Sequence, residues 1–303
     1  MAFIDRISVN GDESNPILGA GNDAYYQGVD LTSKFASEIA TSPYNGNPWA
    51  WIKARIQAAN FTGIHTNDYI PFTTTNNVTL RACVAGINTY KGYGDTAVGN
   101  HIDFICRELW PTLHVANKVN FNNGTASQQF PWLASDLYHF INSLSGTVPN
   151  AATVGGGDGE AVDYTAGGIY YYLPQNLKNV IVEKRFRLAK RYSASGLLED
   201  DNGWDWVNLG KLWLPDEVEV YGIPAWGGKS GYSVGGSAVQ YPIFIGNVQN
   251  RCKLRSGSRC NWWLLSPSAG NSTYWCYVTN HGSATNTAAS STSVAAPVCF
   301  RVS

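Results

Sequence analysis

Apolar positions in WAWIKARIQAAN (49–60) recur at helical spacing and predict an amphipathic helix. Asn47 supplies a cap and Pro48 suits the first helical position, so its start is well marked. FTGIHTNDYIPF (61–72) and VTLRACVAGINTY (78–90) are rich in β-branched and aromatic residues and predict strands. HIDFICRELW (101–110) predicts a second short helix, ended by Pro111, and PWLASDLYHFINSL (131–144) a third. Residues 144–168 lose this periodicity and read as a Gly-rich loop. QNLKNVIVEKRFRLAKRY (175–192) leads into strict alternation, with Val182, Lys184, Phe186, Leu188 and Lys190 on one side. EDDNG (199–203) is a turn signal into a strand at GWDWVNLGKLWLP (203–215). DEVEVYG (216–222) follows Pro215 and predicts a short helix. Short strands between Gly-rich loops run from there to the end, and no fixed repeat period is present.

The C-terminal segment departs from this pattern. NWWLLSP (261–267) and VAAPVCFRV (294–302) are apolar runs that predict strands. From Cys260 to Phe300 there is no Asp, Glu, Lys or Arg before Arg301. The interior is Asn, Ser, Thr, Ala and Gly, interspersed with Tyr274, Tyr277 and His281. Disordered chains couple high charge with few aromatics, so this stretch is expected to be ordered. Aromatic residues give contact area at low entropy cost, and Ser, Gly and Asn give adaptable hydrogen bonding. That is the vocabulary of a binding surface; a Ser/Thr-rich sheet edge with ordinary loops shares it.

Composition narrows the function. The 303 residues suffice for one large domain or two smaller ones, and 44% apolar residues can build a core. The formal net charge of -1 leaves no basic surplus, so nucleic acid is not an expected partner. No apolar run reaches the length of a bilayer span, so no membrane insertion is expected. MAFIDRISVNGDESN lacks the basic-then-apolar order of a signal peptide. The six cysteines contain no CxxC pair and are expected as buried free thiols of a protein made in a reducing cytoplasm. Residues 1–45, rich in Asn, Ser, Asp and Gly with a helical run at 33–39, are expected as an arm for attachment or assembly.

GGGDGE (155–160) lacks the Lys-Ser/Thr ending of a phosphate loop, and no HExxH or HxH is present. Asp216, Glu217 and Glu219 suit either calcium or the capped first turn of a helix. Glu160 and Asp163 put two carboxylates on the Gly-rich loop. No catalytic residue, cofactor or metal site is expected from these patterns.

A resemblance sharpens the reading. WWLLSP, WCYV, a Gly-containing turn and APVCFRV, in that order, resemble the C-terminal half of a C-type lectin-like domain. ANFTGIHTNDYIPF, AGINTY and LWLPDEVEVYG resemble upstream segments of a family of phage and prophage proteins with that fold. The resemblance covers about residues 45–303 and implies an α+β, C-type lectin-like fold with short helices, small twisted antiparallel sheets and long loops. Residues 46–303 would be the ligand-binding domain, with insertions. Some members of this fold are variable proteins of diversity-generating retroelements, relatives of the phage major tropism determinant. There, randomised template adenines turn AAC codons into any codon ending in C, which never encodes Lys, Glu, Gln, Met or Trp. The segment 261–293 has no Lys, Glu, Gln or Met.

The resemblance implies that Trp262, Trp263, Leu264, Leu265, Pro297, Val298 and Phe300 are scaffold. It implies ligand contacts at Asn261, Asn271, Ser272, Tyr274, Tyr277, Asn280, His281, Ser283, Thr285, Asn286 and Thr287. The expected protein is a non-enzymatic receptor-recognition protein, a homo-oligomer on a virion, binding a protein or glycan ligand on a bacterial surface. Calcium is not implied, because the Glu-Pro-Asn and Trp-Asn-Asp sugar-binding signatures are missing. Two alternatives stand beside it. SGSRCNWW resembles a run in formylglycine-generating oxidases, whose copper would need a cysteine pair such as Cys252 and Cys260. A structural virion decoration protein without its own ligand is the other.

Overall fold

A computed structural model describes residues 7–8, 16–18, 26–150, 159–192, 203–227 and 238–303. The architecture is mixed α+β, built on one ten-stranded sheet. Its strands are β1 (Tyr69–Thr73), β2 (Thr79–Ile87), β3 (Ile102–Leu113), β4 (Ile181–Val182) and β5 (Lys253–Arg255). They continue as β6 (Ser258–Cys260), β7 (Trp262–Pro267), β8 (Tyr274–Val278), β9 (Ala284–Ala288) and β10 (Ala295–Val302). The main path runs β6-β5-β3-β10-β7-β8-β9, with β1 joined through β2 to β3, and β4 joined to β10.

The two central strands explain the core. Every residue of β10 is buried, as are the first five of β3. Strands covered on both faces read as continuous apolar runs rather than as alternation. The apolar run at 101–110 accordingly carries no strand alternation. The helix expected there is corrected: the segment is β3, paired with β2 on one edge and β10 on the other. Pro111 does not end a helix; it falls where the β3–β10 register shifts, an irregularity that tolerates a residue without an N–H.

Helix α1 (Pro48–Gln57) begins as its sequence predicts, with the Asn47 side chain accepting from the backbone N–H groups of Trp49 and Ala50. It lays Trp49 edge-on against Phe72, Phe104 and Phe300 at centroid distances of 5.9, 5.9 and 5.6 Å. Such pairs add roughly 0.5–1.5 kcal/mol each beyond their burial. The helix expected at 131–144 is two, Pro131–Ala134 and α2 (Asp136–Asn142). Ser135 between them takes an extended conformation and caps α2 through Tyr138 N–H. Within the segment expected as a Gly-rich loop, Ser145–Val148 pairs with Glu160–Asp163 as a hairpin. Arg185–Ala189 pairs with Trp204–Asn208, while the turn expected at 199–203 lies mostly outside the described residues. Of the segment expected as an arm, residues 26–45 are described continuously, and Leu31 and Ile39 are buried in the common core.

The sheet face opposite α1 is ionic. Asp103 and Arg301 are cross-strand partners, both buried. Arg301 donates from Nε and Nη2 to the two Asp103 oxygens at 2.7 and 2.8 Å, and Tyr241 O–H donates to Oδ2 at 2.9 Å. Lys184 pairs with Glu219, and Tyr241 Oη accepts from its ammonium at 3.1 Å. The ammonium lies 3.9 Å from the Trp213 ring centroid and 4.9 Å from those of Tyr90 and Phe186. Two cations therefore face two carboxylates inside an aromatic box, so none of the four buried charges is left without a partner. His101 accepts from Tyr90 N–H at Nε2 and meets the Gly99 carbonyl at Nδ1, the pattern of a neutral ring. Burial lowers its pKa in the same direction.

Candidate functional site

The polar C-terminal segment forms the outer end of the sheet. Strand β8 pairs with β7 and with β9, and β9 pairs with β8 alone among the described residues. Its ladder sets Tyr274 against Ala288, Trp275 against Thr287, Cys276 against Asn286 and Tyr277 against Thr285. Strand alternation then divides the side chains. Trp275, Tyr277, Thr285 and Thr287 share one face; Tyr274, Cys276 and Asn286 share the other. The residues expected as scaffold are buried: Trp262, Trp263, Leu264, Leu265, Val298 and Phe300 are each 0–1% exposed, and Pro297 is buried as well. Trp263 meets Tyr277 in an edge contact at 6.2 Å, and the Trp275 indole N–H donates to the Leu264 carbonyl at 2.9 Å.

The eleven expected contact residues do not gather on one face. Tyr277, Thr285 and Thr287 lie on one side of the hairpin, half-buried. Tyr274 is exposed on the other side with Asn286, whose amide donates to Ser268 Oγ at 3.1 Å. Asn280, His281 and Ser283 form the turn at the hairpin tip, with His281 and Ser283 exposed. Gly282 has φ +87° there, and a Cβ would meet Cys252 Sγ at 3.3 Å, so the tip sits directly on the chain at Arg251–Cys252. Asn261 works under the tip: its side chain accepts from Asn280 N–H at 2.8 Å. Asn271 closes its own turn through Thr273 N–H, and the Ser272 carbonyl accepts from Asn122 N–H.

The acidic cluster is a capped turn. Helix α3 (Glu217–Tyr221) carries a complete capping box between Asp216 and Glu219, and Gly222 ends it in the left-handed conformation at φ 81°. Asp216 also accepts from Ser266 O–H at 2.6 Å; burial raises its pKa to about 6 despite that bond. Glu217 is buried and accepts from the N–H groups of Ala225, Trp226 and Gly227 at 2.7–3.1 Å. It thereby holds Trp226, 46% exposed, whose indole N–H donates to the Ala284 carbonyl at 3.3 Å on the first residue of β9. Trp226 is an exposed aromatic beside the expected face, and no periodicity in its Gly-rich surroundings singles it out.

The remaining candidates stay apart. Glu160 pairs with Lys118 and Asp163 caps Thr165, both at the surface. His114 Nε2 and the Asp136 carboxyl share a hydrogen bond of 2.7 Å, and the ring stacks on Phe140 at 3.8 Å, but no hydroxyl or thiol is hydrogen-bonded to it among the described residues. All six cysteines are free, four of them buried. Burial raises the thiol pKa of Cys83, Cys106, Cys276 and Cys299. Among the described residues no group of three or more His, Cys, Asp or Glu is arranged to hold a metal ion. A cavity of about 270 Å³ lies where β2, β3, β5 and β6 converge, lined by Arg81, Arg107, Lys253 and Arg259. Arg81 and Arg107 are far in sequence from Lys253 and Arg259, so spacing gives no notice of it.

No curated protein and no solved structure matches the chain. Residues 112–303, from the end of β3 through the whole C-terminal hairpin, match the domain of unknown function DUF6273, and the chain belongs to that family.

Proposed function

We propose that this chain is a non-enzymatic ligand-recognition protein with a C-type lectin-like fold, whose binding face is the C-terminal hairpin and its tip. One observation supports this most. A rigid base of buried Trp262, Trp263 and Trp275 carries an edge hairpin whose outward side chains are small, polar or tyrosine. Substitution at such positions costs the core little, while an exposed Tyr274 or Trp226 is the type of residue that dominates binding energies. The resemblance to variable proteins of retroelements supplies the setting: display as an oligomer on a phage particle, where many weak sites act together on a bacterial surface protein or glycan.

Sequencing the gene and its flanking DNA in many clones tests the reading. Substitutions concentrated in codons 261–293, at adenines of a nearby template beside a reverse transcriptase gene, are expected. A segment that varies no more than the rest of the gene overturns the diversified face. Binding of the purified protein to intact bacterial cells, compared between wild type and Tyr274→Ala, tests recognition itself. Equal binding by both removes the hairpin from the site.

A further inference from the structure

The cavity at the junction of β2, β3 and β5 is a second feature, which adjoins the hairpin tip through Cys252. Strand β2 pairs with β3 over Ala82↔Cys106 and onward, and β5 meets β3 through Leu254↔Glu108. Arg81 and Arg107 flank the Ala82↔Cys106 pair, so two guanidiniums stand side by side across the strands. Like charges so placed oppose folding. Lys253 and Arg259 join them from β5 and β6, and none of the lining residues is Asp or Glu.

One of these charges is neutralised. Arg81 is held by Glu108, its Nε donating at 2.7 Å. The others meet only neutral acceptors or solvent. Arg107 donates to the Gln27 carbonyl at 2.8 Å and lies 5.8 Å from the Tyr69 ring centroid. Lys253 is 3% exposed, and its ammonium donates to the Cys106 carbonyl. Arg259 is exposed and has no hydrogen-bond partner among the described residues. A buried ammonium without a carboxylate is costly, and burial accordingly pulls the Lys253 pKa below the ordinary lysine value. In a chain of net charge -1, this convergence does not follow from composition.

We propose that this cavity binds a small phosphate-bearing, polyhydroxylated molecule. Three positive charges without a carboxylate partner fit a dianionic phosphate better than a single carboxylate. Arginine forks and a lysine point charge together are the usual means of holding one. The rest of the lining suits hydroxyl groups. The Gln249 side chain has no partner among the described residues, and Asn247 and Asn250 each commit one side-chain atom to the backbone, leaving the other for a ligand. The volume, about 270 Å³, holds a phosphate with a short polyol or one sugar ring, not a polymer track.

Calorimetric titration of the full-length chain with inorganic phosphate, glycerol 1-phosphate and uncharged glycerol tests this. Glycerol 1-phosphate is expected to bind more tightly than phosphate, glycerol not at all, and affinity to fall as salt rises. Arg259 is exposed, so Arg259→Gln is expected to leave the fold intact and to weaken glycerol 1-phosphate binding about tenfold, one decade for one lost charged contact. Lys253→Met is expected to weaken it further. No heat with either phosphate, or equal affinities in wild type and Arg259→Gln, overturns the proposal. Binding to phosphatidic acid vesicles without binding to the free ester overturns the small-molecule assignment. Tyr274→Ala is expected to leave phosphate binding unchanged, so this test and that of the hairpin fail separately.

Discussion

Protonating Asp103 is the perturbation whose size follows most directly from the geometry. Burial alone would raise its pKa; the Arg301 charge and its two hydrogen bonds outweigh burial and hold it at about 2, against an ordinary 3.8. The folded-state pKa is therefore the lower one. Stability from this group is fully present above the unfolded value and is lost as pH falls through the folded value. The gap of nearly two pH units, at ~1.4 kcal/mol per unit, makes the loss about 2 kcal/mol between pH 4 and pH 2. Urea unfolding at fixed pH steps, for wild type and Asp103→Asn, isolates it. Asp103→Asn leaves Arg301 buried without a partner and is expected to cost about 3–5 kcal/mol at pH 6. The difference between the two proteins should then shrink by about 2 kcal/mol as pH falls to 2. Parallel profiles over that range would refute the assignment of Asp103 as the ionised partner.

Three further outcomes are expected. Asp216 carries the opposite sign: its pKa is raised to about 6, so its contribution is present below 3.8 and lost as pH rises through 6. Asp216→Asn is therefore expected to gain stability relative to wild type between pH 4 and pH 7, measured by urea unfolding at each pH. Glu217→Gln replaces charged acceptors for the 225–227 amides and is expected to cost about 1.5–3 kcal/mol. Hydrogen exchange should show faster exchange at Ala225, Trp226 and Gly227 while β10 stays protected. Iodoacetamide on the native protein is expected to modify Cys252 and Cys260, which are half-exposed, and to spare the four buried thiols until denaturant is added. Mass mapping of the labelled peptides checks this.

What the sequence determined by itself was local. The cap at Asn47, the alternation that buries Lys184 and Phe186 together, and the apolar runs of β7 and β10 depend on neighbours a few residues away. The capped turn at Asp216 was one of two readings of three acidic residues, and hydrogen bonds within α3 decided between them. The strand β3 was beyond local reasoning, because a segment buried on both faces has no period to reveal it. The same limit governs the sites. Charge and aromatic content marked 261–293 as unusual, but only the β8–β9 register divided Tyr277 from Tyr274. Trp226 reaches the hairpin through Glu217, and Lys184 meets its carboxylate across thirty-five positions of sequence. The cationic cavity is the clearest case: Arg81, Arg107, Lys253 and Arg259 belong to four strands, and strand pairing brings Arg81 and Arg107 to Lys253 and Arg259, about 150 positions further along the chain.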